Sequence, residues 1–209
     1  AISSAMWQEL EAIAARLNDD PTIKIAVIAG AGTAAFSAGA DIVEMQQGLA
    51  DPTRMKVMQQ AVLDAQAAWE RLPMPTLAVI RGACTGGGCG LALACDLRLA
   101  TPDAFFAIPP AKLGLAYSLA DTKRLYDLVG PSRSKEILYT GRRILADEAL
   151  SLGLVNEIVA AEALEERAAS LAGEIAENAG NSVRAAKAVV NMITTGVLTE
   201  TSEDRKSTR

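Results

Sequence analysis

Gly82-Ala83-Cys84-Thr85-Gly86-Gly87-Gly88-Cys89-Gly90-Leu91-Ala92-Leu93-Ala94-Cys95-Asp96 is the stretch whose reading decides the fold. It follows the apolar run 77–80 (LAVI), which reads as a strand, and it leads into an Ala/Leu helix that ends at Cys95-Asp96. A P-loop needs Lys-Ser/Thr after its last glycine; that pair is missing, so a phosphate cradle of this type is excluded. Two readings stay open. Either the glycines only permit a tight strand-to-helix turn, or the turn also leaves free N–H groups at the positive end of the helix dipole, where an oxyanion binds.

Outward from this turn the chain alternates helix and strand. Met6, Leu10, Ile13 and Leu17 recur at helical spacing, with Ser3 or Ser4 as N-cap and Asp19-Asp20-Pro21 as a stop. Residues 23–29 (IKIAVIA) read as a strand covered on both faces. Met55, Met58, Val62, Ala65, Trp69 and Leu72 form another stripe, begun by Asp51-Pro52 at the cap and first turn. Beyond the glycines come strand-like segments at 97–100 and 104–108, then helices at 132–139, 146–152 and along Leu164, Ala168, Leu171 and Ile175. Strands of buried character alternating with helices predict an α/β fold with largely parallel pairing. The polar end, 200–209, is expected to be solvated.

Composition removes several chemistries. Of 209 residues, 50% are hydrophobic and only 4% aromatic, so the core is built from Ala, Leu, Val and Ile and packs closely. No His is present, which excludes Ser-His-Asp and Cys-His catalysis and removes the commonest ligand of a catalytic zinc; no metal site is expected. Acid-base work falls to Asp, Glu, Tyr or Lys. With 20 basic against 25 acidic residues and no Lys/Arg block, neither nucleic acid nor an anionic membrane is an expected partner. Cys84, Cys89 and Cys95 sit among apolar residues without metal spacing and read as buried free thiols in a reducing compartment. The longest uncharged run, 25–40, is rich in Gly, Ala, Ser and Thr and too short to span a membrane, and no signal peptide is visible; the chain opens at Ala1 close to a helix, so a preceding segment is expected in the parent protein.

A second glycine turn lies at Ala38-Gly39-Ala40-Asp41. Two backbone N–H groups from separate strand-to-helix turns, aimed at one carbonyl oxygen, stabilise an enolate or tetrahedral oxyanion without His, metal or a side-chain nucleophile. Gly30-Ala31-Gly32 with Ala35 matches a dinucleotide fingerprint in form, but the helix and the strand ending in an acidic residue that must follow are absent.

Residues 35–42 (AFSAGADI), 73–82 (PMPTLAVIRG), 82–96 and 141–159 (GRRILADEALSLGLVNEIV) together resemble the enoyl-CoA hydratase/isomerase, or crotonase, superfamily in order and spacing. The likeness runs from Ala1 to about Ala188. It implies a crotonase-like spiral of ββα turns with C-terminal helices: residues 1–140 as the spiral core with the acyl-CoA site, and 141–209 as a helical, trimerising region. It implies an acyl-CoA thioester as substrate, no cofactor beyond the CoA that the substrate carries, a homotrimer or dimer of trimers, and a cytoplasmic protein. The backbone N–H groups of Ala40 and Gly87 correspond to the oxyanion hole, and Ala38, Gly39, Asp41 and Ile42 to the loop lining the CoA site. The chain begins after the family's first hairpin and stops before its last helices are complete, so those ends are expected in the parent protein or from neighbours.

One departure is chemical. Hydratases of this family carry one Glu three places after the middle glycine of GGG and a second just after the Pro that ends the next strand; here those slots hold Gly90 and Pro110. Hydration needs a base for water and an acid for the α-carbon, each contributing about 10²–10⁴-fold. The expectation is chemistry that leans on enolate stabilisation, decarboxylase- or isomerase-like, with a non-catalytic CoA-ester binder as the alternative. Residues 113–119 (LGLAYSL) resemble methylmalonyl-CoA decarboxylase, in which a Tyr at the Tyr117 position approaches the substrate carboxylate; against this stands a packing Tyr with a satisfied hydroxyl. Ser118 occupies the place where relatives put an isomerase Asp or a dehalogenase nucleophile. Asp121 reaches the site if it faces inward, but Lys123 and Arg124 beside it point to a surface ion pair. Lys112 reads as solvated, Asp96 as structural and Asp41 as a helix N-cap.

Overall fold

The computed structural model describes residues 1–196, apart from the side chain of Ile42; the polar end at 200–209 lies outside the described residues. Two four-stranded sheets carry the chain. The first holds β1 (Ala26–Ala29), β3 (Thr76–Ile80), β5 (Leu97–Ala100) and β8 (Glu157–Ile158) in that order, all parallel. The second holds β2 (Ala35–Ser37), β4 (Ala83–Thr85), β6 (Phe105–Ala107) and β7 (Arg143–Leu145), parallel until β7 closes it antiparallel. The chain visits one sheet, then the other, then a helix, and repeats. This is the spiral of ββα turns, with α6 (Ala146–Ser151) between β7 and β8, and α7 (Leu164–Ala176) and α8 (Gly180–Thr195) at its C-terminal end.

Local chemistry explains the helix starts. Ser3 caps α1 (Ser4–Asp19) by accepting the Met6 N–H. Asp51 caps α3 (Pro52–Glu70), with Pro52 where a missing N–H costs nothing. On α1 the inward residue of the first turn is Trp7, not Met6, which stays exposed; Leu10, Ile13 and Leu17 pack on the core as read.

Three elements differ from the sequence reading. The run 23–29 is covered on one side only: β1 pairs with β3 alone and stands at the sheet edge, leaving Val27 47% exposed. The strand buried on both faces is β3, whose Ala78 and Ile80 enter the main core while Leu77 and Val79 join Leu99, Leu164 and Ala168 in a second one beneath α7. The helix read at 132–139 is present as the second half of α5 (Leu119–Thr140), which breaks at Gly130, at positive φ just before Pro131; the half before the break was not read. Helix α8 falls in the region that the resemblance made helical, but its own residues were not read as an element.

Helix α4 (Gly87–Ala94) is the central element. Every residue from Gly88 to Ala94 is buried, so it has no polar face and no helical period for a sequence pattern to show. Cys84, Cys89 and Cys95 are free and buried around it. Burial pushes the Cys95 thiol up to about 12 and the Cys84 thiol well above its ordinary range. In the folded protein at pH 8 none of the three is expected to react quickly with an aromatic disulfide reagent, and all three should react at once in guanidinium; rapid native labelling would contradict this burial.

Candidate active site

The two glycine turns end neighbouring parallel strands, β2 and β4. Gly86 starts α4 at φ 55° and ψ −125°, a conformation that glycine supplies, and its N–H is taken by the Ala107 carbonyl at 2.9 Å. Gly88 permits close approach: a Cβ there would lie 2.3 Å from that of Ser37. Ser37 is itself buried, and its Oγ accepts the Gly39 N–H at 3.1 Å, which shapes the other turn. The turns abut, since a Cβ on Gly86 would stand 3.7 Å from the Gly39 Cα.

The N-terminal residues brace this turn. Ile2 donates its N–H to the Gly39 carbonyl at 2.9 Å, and Ser4 binds Glu44 through both its N–H and its hydroxyl. Asp41 caps α2 (Ile42–Ala50) by accepting the Val43 and Glu44 N–H groups at 3.0 and 3.1 Å. Its side chain shapes the turn, as the capping reading expected. Trp7 lies over the other turn, its Cζ2 3.1 Å from where a Gly87 Cβ would be.

Ala40 and Gly87 are half-buried, and among the described residues neither backbone N–H has an acceptor. Ala38 is exposed, Gly39 is buried, and Pro110 is half-buried at the start of a short 3-10 turn (Pro110–Leu113). Gly30 has a plain steric reason: a Cβ would overlap the Ala35 carbonyl, and a strand rather than a helix follows it.

Around Gly90 the sequence reading needs correction. Asp121 is not in a surface ion pair: it is 4% exposed and meets the buried Arg124 guanidinium at 3.0 Å. The first turn of α5 packs on α4, so position 121 faces inward while Lys123 pairs with Asp127 outside. Ser118 caps α5, accepting the Asp121 N–H at 3.0 Å and donating its hydroxyl to the Asp121 carboxylate at 2.7 Å. Tyr117 is neither exposed nor satisfied: its buried hydroxyl finds no hydrogen-bond partner among the described residues. Burial first, and the charges of neighbours including Asp121, hold that hydroxyl well above the usual tyrosine range.

Gln66 was not singled out in the sequence. It is fully buried on α3, donating to the Gly87 carbonyl at 3.1 Å and accepting from Arg124 at 3.2 Å. Its signal was present as one amide inside the apolar stripe of Val62, Ala65 and Trp69. Asp96 is structural as read, accepting the Thr76 N–H and pairing with Lys187 at 2.7 Å, and Lys112 is exposed. A cavity of about 470 Å³ opens at the other end of α4, between Leu93, Asp96, Arg124, Lys187 and Val190, and does not include the two free amides. Among the described residues no three Cys, Asp or Glu side chains gather as metal ligands.

Two abutting glycine turns with free amides thus stand on a ββα spiral, and comparison with known proteins identifies the family to which such a fold belongs. The profile of the enoyl-CoA hydratase/isomerase family matches residues 1–208. The chain belongs to that family. It is 39% identical over 192 residues to the crotonyl-CoA hydratase of Syntrophomonas wolfei, covering 91% of this chain and 73% of that one. It is 31% identical over 204 residues to the human mitochondrial Δ(3,5)-Δ(2,4)-dienoyl-CoA isomerase, covering 92% and 61%. Among solved structures, an enoyl-CoA hydratase/isomerase family protein from Hyphomonas neptunium superimposes with a TM-score of 0.93 at 42% identity, covering 99% of this chain and 79% of that one. Among the described residues no helix is long and apolar enough to cross a membrane.

Proposed function

We propose that this protein binds an acyl-CoA thioester against the two glycine turns and stabilises its enolate, the thioester oxygen accepting hydrogen bonds from the Ala40 and Gly87 amides. The observation that carries this is the pair of half-buried, acceptor-free N–H groups on abutting turns, one of them at the positive end of α4. Ala38, Gly39, Asp41 and Ile42 line the approach of the CoA. No further cofactor is required, since the CoA arrives with the substrate. Relatives are named as a crotonyl-CoA hydratase and a dienoyl-CoA isomerase, and both names point to an unsaturated acyl-CoA, which supports the same substrate class here.

The reaction follows from what the slots lack. With Gly90 and Pro110 in place of a Glu pair, addition of water loses roughly 5 kcal/mol or more of acid-base help, while the amide hole, worth about 10²–10³ per donor, is retained. Isomerisation of an enoyl thioester, or loss of CO₂ from a malonyl-type one, draws on the hole more than on the missing pair. Tyr117, with a free buried hydroxyl, is the candidate hydrogen-bond donor to the substrate acyl group. The protein works in the cytoplasm as a homotrimer or dimer of trimers in this reading, with residues 141–209 at the subunit contacts and neither nucleic acid nor membrane as partner.

A mass-spectrometric panel of malonyl-, methylmalonyl-, crotonyl- and 3-enoyl-CoA tests the assignment. Turnover of a 3-enoyl or malonyl-type ester with little hydration of crotonyl-CoA is expected. Brisk hydration of crotonyl-CoA that Tyr117→Phe abolishes would show the acid and base to be misassigned. Binding of several esters with turnover of none would favour the CoA-ester binder that loss of the Glu pair also suggests.

A further inference from the structure

Gly90 lies one turn into α4 beyond the Gly87 amide, and the space beside it is filled from two other helices. A Cβ built on Gly90 would stand 2.3 Å from Gln66 Nε2 on α3 and 2.5 Å from Asp121 Oδ1 on α5. A carboxylate is therefore present at this slot after all. It comes from α5 instead of α4, and the glycine makes room for it. Arg124 contacts Asp121 Oδ1 at 3.0 Å and also reaches Gln66 and the half-exposed Glu70, so one guanidinium is shared by two carboxylates, while the Ser118 hydroxyl donates to Asp121 Oδ2 at 2.7 Å. Burying such a pair carries a desolvation penalty that a filling of apolar side chains would avoid.

We propose that Asp121 is the proton-transferring carboxylate of this site, a role that rests on the thioester reading above and moves it toward isomerase-type chemistry on 3-enoyl esters. The ionised carboxylate takes a proton from the carbon next to the thioester carbonyl. The C–H electron pair becomes the carbon–carbon π bond of the enolate, and the carbonyl π pair moves onto the oxygen held by the Ala40 and Gly87 amides. The neutral acid then returns the proton, to the same carbon or to the far end of the extended enolate. Burial raises the Asp121 carboxyl above its usual range against the pull of the Ser118 hydroxyl and of Arg124, and Glu70 adds to the rise. Facing it are Arg124 and Ser118 from α5 and its cap, Gln66 and Glu70 from α3, and the Tyr117 hydroxyl. Proton removal should therefore switch on with rising pH as Asp121 ionises, at a higher pH than for a free aspartate.

Exchange of the α-hydrogens of butyryl-CoA in D₂O, followed by mass spectrometry, isolates this step because the saturated ester needs no other chemistry. The wild-type chain should incorporate deuterium, and Asp121→Asn should slow that by about 10²–10⁴-fold while butyryl-CoA binding stays within a few-fold. The low-pH limb of the exchange profile should vanish with it. Exchange by Asp121→Asn at the wild-type rate, or with the low-pH limb intact, overturns the role of Asp121 and leaves the amide site standing. If the wild-type chain neither exchanges butyryl-CoA nor turns over any ester of the panel, both proposals fall.

Discussion

Gly87→Pro is expected to cut turnover of the best acyl-CoA substrate by about 10²–10³-fold while leaving the fold in place. Gly87 is the first residue of α4, the helix position proline favours, so the substitution removes the N–H without breaking an intrahelical bond. Its side chain will crowd Trp7 Cζ2, 3.1 Å from a Cβ at this position. Gly87→Ala supplies the control, because it brings the same crowding and keeps the amide. A large fall in kcat for Pro with a small one for Ala assigns the effect to the hydrogen bond; equal falls would trace it to Trp7 and sink the amide hole at this residue. The melting curve of each variant separates loss of chemistry from loss of structure.

The largest effect on stability is expected at Arg98. This arginine is 2% exposed and, among the described residues, has no carboxylate partner at ion-pair distance. It spends its guanidinium on carbonyls: Leu154 at 2.7 Å, Cys95 at 2.6 Å and Ala92 at 3.3 Å. Two of these close the C-terminal end of α4, where a cation also complements the helix dipole. The third ties β5 to the segment leading into β8, a tie reinforced by Asn156, which accepts the Arg98 N–H at 2.8 Å. Arg98→Met keeps the length and removes the donors. Each orphaned buried carbonyl costs about 1–3 kcal/mol, and with partial relaxation the total should be roughly 3–5 kcal/mol. For a chain of this size that lowers Tm by roughly 6–20 °C, measurable by calorimetry. A Tm within 2 °C of wild type, in round terms about 1 kcal/mol or less, would mean that the carbonyls find other donors.

Both predictions concern the two ends of one helix, and the ends were not equally legible. The Gly86-Gly87-Gly88 start stands out in the sequence because a positive φ and a 2.3 Å approach to Ser37 admit nothing larger. Arg98 did not stand out, since a charge within a short strand segment reads as a residue facing water. Asp121 was misread for a related reason. Asp, Lys, Arg and Asp at 121, 123, 124 and 127 look like a solvated helix face, and only the packing of α5 on α4 sends Asp121 and Arg124 inward while Lys123 and Asp127 stay out. The strand read at 23–29 forms only over Ala26–Ala29 and was given cover on both faces, because an apolar run reveals composition and not position in a sheet.

The sequence by itself determined what depends on near neighbours along the chain: the caps at Asp41 and Asp51 and one at Ser3 or Ser4, the glycine turns, the alternation of strand and helix, and membership of the family. These features arise from backbone sterics and from hydrogen bonds a few residues long. Tertiary structure alone decided which charges are buried, that Gln66 joins the site, and that the carboxylate beside Gly90 comes from Asp121. Those outcomes depend on contacts between elements tens of residues apart, such as Gln66 with Arg124, where the cost of desolvation and the choice of partner are set by the packing and leave no local trace.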